Sequence, residues 1–260
     1  MHMMIQKIIQ KLKMALGGKR GPAPGDKNRP IANIKFFLED LSVRGFQPKG
    51  IIDVGAHRGD WTRMALKVFP NAQVIMIEPQ EELKPTLTEF CLLHKNVEFL
   101  ASGAGRQKGE LVQTIWSDLA GSSFLPDTSE KRLADGTQRV TPVTTIDEIL
   151  TERPGFTPDI LKIDTQGFEL EVLSGAKSLL GKAEVIILET SLYHFIQSMP
   201  VTFDCIKFME ENGYVLYDIT EYLRRPLDGA LGQVDLAFAL RKGTLRRSHE
   251  WDFNHSPKPL

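Results

Sequence analysis

Short apolar runs alternate with amphipathic stretches through the middle of the chain. The runs predict buried strands at 50–54, 73–77, 97–100, 160–163 and 185–188. Apolar residues at helical spacing predict helices at about 34–41, 60–68 and 168–180. Strands that are apolar on both faces and separated by helices are typical of a parallel sheet with helices on both sides. The pattern therefore predicts an α/β fold with a doubly wound, mostly parallel sheet.

The second half of the chain adds less regular elements to this pattern. A helix at 203–212 is followed by two predicted strands at 214–219 and 234–240, which a longer loop joins. The stretch 111–143 carries a polar run and few periodic positions, and it predicts one inserted strand and a mobile loop. These elements extend the sheet and cover part of it.

The N-terminal residues form a separate pattern. Apolar residues such as Ile5, Ile8 and Leu12 share one helical face, and lysines lie elsewhere, so residues 1–16 predict a short basic amphipathic helix. Such a helix either lies on an anionic membrane or packs on its own domain or a second copy. The next residues are rich in glycine, proline and charge and predict a linker. We therefore divide the chain into a helix, a linker, one domain and a C-terminal extension, at 1–16, 17–29, 30–243 and 244–260.

A glycine-containing turn follows the first predicted strand and precedes a helix. The sequence from Gly50 to Trp61 reads GIIDVGAHRGDW. Gly55 and Gly59 allow backbone N–H groups to come close to a ligand where a Cβ would intrude. The following helix points its positive N-terminal end at the same place. This arrangement predicts a small-molecule site in the turn.

An acidic residue follows the second predicted strand, where Glu78 and Pro79 end an apolar run. An acidic side chain at this place in a doubly wound fold can accept hydrogen bonds from ribose hydroxyls. The turn lacks the G-x-G-x-x-G spacing of a dinucleotide site. Asp53 precedes the first glycine, and its charge would repel a pyrophosphate but suits a sulfonium and an amino group. The charge therefore favours S-adenosylmethionine over NAD.

At this point the sequence resembles the FkbM-type family of S-adenosylmethionine-dependent methyltransferases, from about residue 51 to about 240. The resemblance rests on ordered blocks: IDVGAHRG at 52–59, IEP at 77–79, ASG at 101–103, GSS at 121–123, VTTIDEIL at 143–150, ILKIDTQGFE at 160–169, EVLSGA at 171–176 and VDLAFA at 234–239. It implies a seven-stranded Rossmann-like sheet of the class I methyltransferase type, closed by an antiparallel strand. It also implies O-methylation of a hydroxyl on a sugar, a glycan or a secondary metabolite.

The resemblance also implies which residues hold the cofactor. Asp53, Gly55 and Gly59 would hold the methionine part, Glu78 the ribose, and the turn of residues 101–103 the adenine. The full set of predicted cofactor residues is Asp53, Gly55, Ala56, His57, Gly59, Trp61, Glu78, Pro79, Ala101, Ser102, Gly103, Ser122 and Asp164. A plain structural turn explains Ser122 nearly as well, and packing under the first helix explains Trp61.

Four polar residues near the ends of the fourth and fifth core strands are candidates for the chemistry. Asp164 leaves a buried strand at the edge where ligands of open α/β sheets bind, so it is the first candidate to orient an acceptor or to act as base. Glu169, Glu189 and His194 are the others. Capping of the following helix is the alternative for Asp164 and Glu169, and packing is the alternative for His194.

A divalent metal is possible but not favoured. It would need two or three converging oxygen ligands, and the sequence offers only Asp164 with Glu189 as a plausible pair. We therefore predict no metal ligands. The alternative functions left open are an NAD-dependent oxidoreductase and a non-catalytic cofactor-binding interaction module.

The composition limits the classes of binding partner and the cellular compartment that we expect for this protein. The 260 residues include 32 Lys plus Arg and 33 Asp plus Glu, so the net charge of −1 gives no reason to expect a nucleic-acid partner. Cys91 and Cys205 lie in apolar helical patterns and predict reduced thiols. No apolar run approaches the roughly 20 residues that cross a bilayer. We expect a cytoplasmic protein that acts on a small-molecule or glycan acceptor, with membrane contact through residues 1–16 and homo-oligomer formation both left open.

Overall fold

The computed structural model describes residues 23–117, 119–125 and 137–250. The helices in this part are α1 (Ile34–Val43), α2 (Asp60–Val68), α3 (Lys84–Leu93), α4 (Ile146–Thr151), α5 (Glu169–Ser174) and α6 (Thr202–Glu211), with short 3-10 turns at Glu81–Leu83 and Thr244–Arg246. The strands are β1 (Gly50–Val54), β2 (Gln73–Ile77), β3 (Val97–Leu100), β4 (Gly103–Ala104), β5 (Gly109–Thr114), β6 (Gln138–Thr144), β7 (Pro158–Ile163), β8 (Val185–Ser191), β9 (Tyr214–Arg224) and β10 (Leu231–Leu240). The amphipathic helix predicted at 1–16 lies outside the described residues.

A seven-stranded sheet organises the fold, in the order β3-β2-β1-β7-β8-β10-β9. The pairs from β3 to β8 are parallel, and β10 pairs antiparallel with both β8 and β9. The predicted doubly wound sheet with an antiparallel closing strand is therefore confirmed. The strand order reverses between β1 and β7, which is where open α/β sheets open a crevice for ligands.

Two apolar layers cover the sheet because its central strands are buried on both faces. Adjacent residues of β1, Ile51 and Ile52, are both fully buried, and they face opposite layers. One layer contains α1, α2 and α3, through residues such as Leu38 and Leu87. The other contains α4, α5 and α6, through residues such as Val172. This two-sided burial explains the continuous apolar runs of the sequence.

A second, three-stranded sheet has the order β4-β6-β5. The stretch predicted as one inserted strand and a loop contains most of β5 and β6, which pair antiparallel. The prediction therefore missed one strand. The reason is that β6 contains Pro142 and alternates between buried and exposed residues, so it lacks a continuous apolar run. The predicted mobile loop falls largely on residues 126–136, outside the described part.

The loop between β9 and β10 is shorter than predicted. The strands reach Arg224 and Leu231, so only residues 225–230 connect them. Arg225 N donates to Ala230 O at 2.8 Å, and the Arg225 side chain pairs with Asp228. These bonds close a tight hairpin. Polar residues at the strand ends interrupt the apolar pattern, so the sequence did not predict this extension of the strands.

Helix α5 ends at Ser174, so the helix predicted as far as residue 180 is wrong in its second half. The next residue, Gly175, packs against the backbone of Gly105, and a Cβ at Gly175 would lie 2.0 Å from Gly105 O. After this contact the backbone N–H groups of Lys177 and Ser178 donate to Asp147 at the start of α4. The chain therefore turns to follow α4, although its apolar spacing suits a longer helix.

None of the helices in the described part of the chain is long and apolar enough to cross a membrane.

The contact between Gly175 and Gly105 can be tested by adding one methyl group. We expect Gly175→Ala to lower the free energy of unfolding by about 2 kcal/mol or more, because its Cβ meets a backbone oxygen that cannot move alone. Gly155→Ala is the matched control, since a Cβ there meets nothing within 4 Å. Urea unfolding followed by circular dichroism measures both. Equal stabilities of the two variants would contradict the packing at Gly175.

Candidate active site

A pocket opens at the edge of the sheet where β1, β2 and β7 end. It encloses about 720 Å³ of space when its open mouth is included. The predicted residues that line it are Gly55, His57, Glu78, Pro79, Ser102, Gly103, Ser122 and Asp164. The structure therefore brings together segments that are more than one hundred residues apart in the sequence.

The turn after β1 forms one wall of this pocket. Gly55 has φ of +71°, and a Cβ there would lie 1.9 Å from Asp164 O, so only glycine allows the turn to approach the end of β7 this closely. Gly55 N and Ala56 N both donate to Ile77 O at the end of β2. His57 has φ of +50° and lines the pocket. The turn is therefore fixed against both neighbouring strands.

Glu78 lies at the end of β2 and faces the pocket with a carboxylate that is already partly bonded. Its Oε2 accepts from His57 N at 2.9 Å. Its Oε1 accepts from Gln80 N at 3.1 Å and Gln80 Nε2 at 3.0 Å. Burial raises the pKa of Glu78, and the hydrogen bonds from His57 and Gln80 oppose that rise. Because an ionised carboxylate oxygen accepts two hydrogen bonds, Oε2 has room for one more from a ligand.

Gln80 connects Glu78 to the loop that contains Ser122. The Gln80 side chain is buried, and its Oε1 lies 3.0 Å from the Ser122 hydroxyl. That hydroxyl also lies 2.9 Å from Leu119 O, so it can donate to either oxygen. Ser122 therefore lines the pocket as part of a chain of hydrogen bonds that begins at Glu78.

Asp53 does not line the pocket, which corrects the interpretation that its carboxylate faces the cofactor. The residue is fully buried beneath the turn. Its Oδ2 accepts from the Thr62 hydroxyl at 2.7 Å, and its Oδ1 lies 3.1 Å from Lys162 Nζ. Because the Lys162 ammonium offsets the Asp53 charge inside the protein, Asp53 gives no argument for a cationic ligand over a pyrophosphate.

Asp164 and Glu189 are brought together by a residue that the sequence did not single out. Gln166 Nε2 donates to Asp164 Oδ1 at 2.8 Å and also to Glu189 Oε2. Gln166 has φ of +55°, which turns its backbone so that its carbonyl oxygen accepts from the Ser123 hydroxyl at 2.9 Å. The pair considered as metal ligands is thus bridged by an amide, and Asp164 is the member that lines the pocket.

Glu169 points into its own loop and away from the pocket. Its Oε1 accepts hydrogen bonds from Thr165 N at 3.0 Å, from the Thr165 hydroxyl at 3.2 Å and from Gly167 N at 3.1 Å. Burial raises the pKa of Glu169 from 4.5 to about 7. The residue therefore shapes the loop after β7, and Asp164 stands at the beginning of that loop.

The remaining predicted residues lie outside the pocket lining. His194 is exposed beyond the end of β8, with Nδ1 at 2.7 Å from Met199 O. Trp61 packs against the apolar layer that contains α1 to α3. Ala56, Gly59 and Ala101 do not reach the pocket wall either. No group of three or more His, Cys, Asp and Glu side chains is placed to hold a metal ion in the parts of the chain described above.

Sequence reasoning missed Lys162, Gln80 and Gln166. One signal was available for Lys162, because a lysine between the apolar residues Leu161 and Ile163 of a buried strand requires a partner of opposite charge. The two glutamines carry no such signal, since neutral polar residues after strands are common in turns. Their roles depend on contacts between distant segments.

Comparison with known proteins gives one family match. The sequence model of a family described as the methyltransferase FkbM domain matches residues 53–216. No curated protein matches the sequence.

Three solved structures that match this chain have identities below 20% and TM-scores below 0.5. A methyltransferase FkbM from Methylobacillus flagellatus KT has 18% identity and a TM-score of 0.48, over 72% of this chain and 43% of that one. This chain therefore spans less than half the length of that protein. A precorrin-6y C5,15-methyltransferase from Geobacter metallireducens GS-15 has 14% identity and a TM-score of 0.45, over 85% of this chain and 98% of that one. A 1,6-didemethyltoxoflavin-N1-methyltransferase from Burkholderia thailandensis has 12% identity and a TM-score of 0.43, over 80% and 76% of the two chains.

The raised pKa of Glu169 predicts a dependence of stability on pH. The folded state keeps this proton up to about pH 7, whereas the unfolded chain loses it near pH 4.5, so stability should fall as pH rises through this window. Glu169→Gln keeps the accepting oxygen and removes the titration. The difference in unfolding free energy between wild type and variant should therefore change by up to about 3 kcal/mol between pH 4.5 and pH 8.

Glu171→Gln is the control for this measurement. A hydrogen bond from Arg106 lowers the pKa of Glu171, so ionised Glu171 contributes to stability, and this contribution is lost only as the pH falls below the ordinary pKa of a glutamate. The difference in unfolding free energy between wild type and Glu171→Gln should therefore stay constant from pH 5 to 8. Urea unfolding at several pH values measures both variants. A constant difference for Glu169→Gln across the same range would show that its carboxyl titrates normally in the folded state.

Proposed function

The chain belongs to the FkbM methyltransferase family, and we propose that it transfers a methyl group from S-adenosylmethionine to a hydroxyl group on a sugar, a glycan or a secondary metabolite. The observation that carries this proposal is the single pocket wall shared by the glycine turn, Glu78 and Asp164. These residues provide a cradle for a nucleoside-like donor and a carboxylate for an acceptor within one cavity.

The residues at the β1 and β2 ends fit a nucleoside donor. Gly55 lines the pocket, and because it has no Cβ it lets the turn lie against Asp164 O. Glu78 Oε2 retains one acceptor position, which a ribose hydroxyl can use. Ser102 and Gly103 line the same pocket at the end of β3, where they can lie beside the adenine base of the donor. When bound, S-adenosylmethionine supplies an electrophilic methyl group on a positively charged sulfur.

The residues after β7 fit an acceptor hydroxyl. Asp164 lines the pocket, and the amide of Gln166 fixes its carboxylate from one side at 2.8 Å. Gln166 in turn bonds Glu189 on the neighbouring strand, so the position of Asp164 depends on two strands. A carboxylate held in this way can orient a hydroxyl and take its proton during transfer. Most of the rate enhancement in such a displacement comes from alignment of the reacting groups.

The oxidoreductase alternative remains a useful comparison in binding experiments. The interior position of Asp53 removes the charge argument against a pyrophosphate. Glu78 alone does not separate the two cofactors, because both contain a ribose with free hydroxyls. The family match favours the methyl donor, and direct titration with NADH tests the alternative.

Calorimetric titration with S-adenosylmethionine and S-adenosylhomocysteine tests the donor site. We expect micromolar binding of both to the wild-type protein and no binding of NADH. Glu78→Gln should weaken binding by about tenfold or more, because an amide replaces the charged acceptor of the ribose hydroxyls and disturbs the bonds to His57 and Gln80. Glu81→Gln is the matched control, since it makes the same change at a nearby exposed position.

Two outcomes would count against this site. Binding of NADH without binding of either methionine derivative would replace the methyltransferase with an oxidoreductase. Equal affinities of Glu78→Gln and Glu81→Gln for the donor would remove Glu78 from the ribose position while leaving the proposed activity standing.

The acceptor side is tested by Asp164→Asn. We expect this variant to bind S-adenosylhomocysteine within a few-fold of wild type, but to lose about a hundredfold or more in methyl transfer, because the amide cannot take a proton. The assay measures transfer of a radiolabelled methyl group to a panel of monosaccharides and nucleotide sugars. Asp60→Asn, at an exposed position on α2, is the control. Full activity of Asp164→Asn would exclude the residue as base.

A further inference from the structure

Lys162 is a charged residue in the most buried part of the sheet. It lies on β7 between Leu161 and Ile163, which are both fully buried, and its own side chain is 8% exposed. Taking an ammonium group out of water is costly unless charges and acceptors surround it. The contacts of Lys162 Nζ therefore indicate which part of the structure the buried ammonium group holds in place.

The ammonium group of Lys162 joins the end of β1 to the end of β7. Its Nζ lies 3.1 Å from Asp53 Oδ1 and donates to Gly55 O at 3.0 Å. It also lies 3.4 Å from Val54 O and 3.7 Å from Asp164 Oδ2. Three of these four groups belong to β1 and to the turn that lines the pocket. The fourth is the carboxylate at the acceptor side.

The network continues away from the pocket to helix α2. Asp53 accepts from the Thr62 hydroxyl through its second oxygen at 2.7 Å, and both residues are fully buried. A chain of polar contacts therefore runs from α2 through Asp53 and Lys162 to Gly55. It holds the carbonyl side of the turn, while the N–H groups of Gly55 and Ala56 are held by Ile77 O.

We propose that Lys162 is a positioning residue, whose ammonium group fixes the Gly55 turn in the shape that binds the methyl donor. This inference rests on the proposed function of the pocket. Lys162 is not among the residues that line the pocket, and it acts through the backbone of Gly55. The simpler alternative is that Lys162 only neutralises the buried charge of Asp53.

A pair of variants separates positioning from neutralisation. Lys162→Met removes both the charge and the hydrogen bond to Gly55 O, and it leaves Asp53 buried without its cation. Adding Asp53→Asn to Lys162→Met removes the uncompensated charge while the amide can still accept from Thr62. The double variant therefore lacks the links of Lys162 to the turn and to Asp164, but it leaves no uncompensated charge at Asp53. Lys35→Met, at an exposed lysine of α1 that pairs with Glu39, is the control.

Three measurements apply to each variant: urea unfolding, calorimetric titration with S-adenosylhomocysteine, and amide hydrogen exchange at Gly55 and Ala56. We expect Lys162→Met to lose stability and affinity together. The double variant should recover most of the stability but still bind about tenfold more weakly than wild type, because the charge-assisted hydrogen bond to Gly55 O is absent. Its amides at Gly55 and Ala56 should also exchange faster than those of wild type.

The possible outcomes distinguish this inference from the proposed function. Recovery of wild-type affinity and wild-type exchange in the double variant would overturn the positioning role and leave Lys162 as a counter-ion. A folded wild-type protein that binds neither S-adenosylmethionine nor S-adenosylhomocysteine would overturn the proposed function itself, before any variant is compared. Should Lys162→Met not fold, the double variant still decides between the two roles.

Discussion

The close approach of the β1 turn to the end of β7 determines where the rest of the site can lie. Asp164 N donates to Val54 O at 3.1 Å, and the space beside Gly55 admits no side chain. Because these two strand ends are fixed against each other, the backbone of the turn and the Asp164 side chain face one cavity. The neighbouring strands then add their own residues to the same wall, through Glu78 from β2 and Gln166 in the loop after β7.

The acidic residues around this junction differ in what they face. Glu78 and Asp164 line the pocket, whereas Asp53 pairs with Lys162 beneath it and Glu169 bonds the backbone of its own loop. Residues that look alike in the sequence therefore divide into two groups, one that lines the pocket and one that forms bonds within the scaffold. Burial raises the pKa of Glu169.

The central strands of the sheet were predictable from the sequence because they are buried on both faces, so that each appears as a continuous apolar run with breakers on either side. The same reasoning failed at α5, whose end is set by contact of Gly175 with Gly105, a residue of a distant segment. It also failed for Asp53, because strand periodicity near a turn does not tell which side chain faces the crevice. Gln80 and Gln166 each bond an acidic residue two positions away, but their second partners, Ser122 and Glu189, come near only on folding, and no local pattern marks them.

The hydrogen bond from His57 N to Glu78 has a consequence for how this pocket can change. The same carboxylate that lines the pocket also holds the backbone of the turn, so the shape of the pocket and the shape of the turn are coupled. A substitution at Glu78 therefore alters both at once. Ser122, in contrast, lines the pocket and bonds Gln80, Leu119 and Trp116, so a substitution there changes the pocket without removing a hydrogen bond of the turn itself.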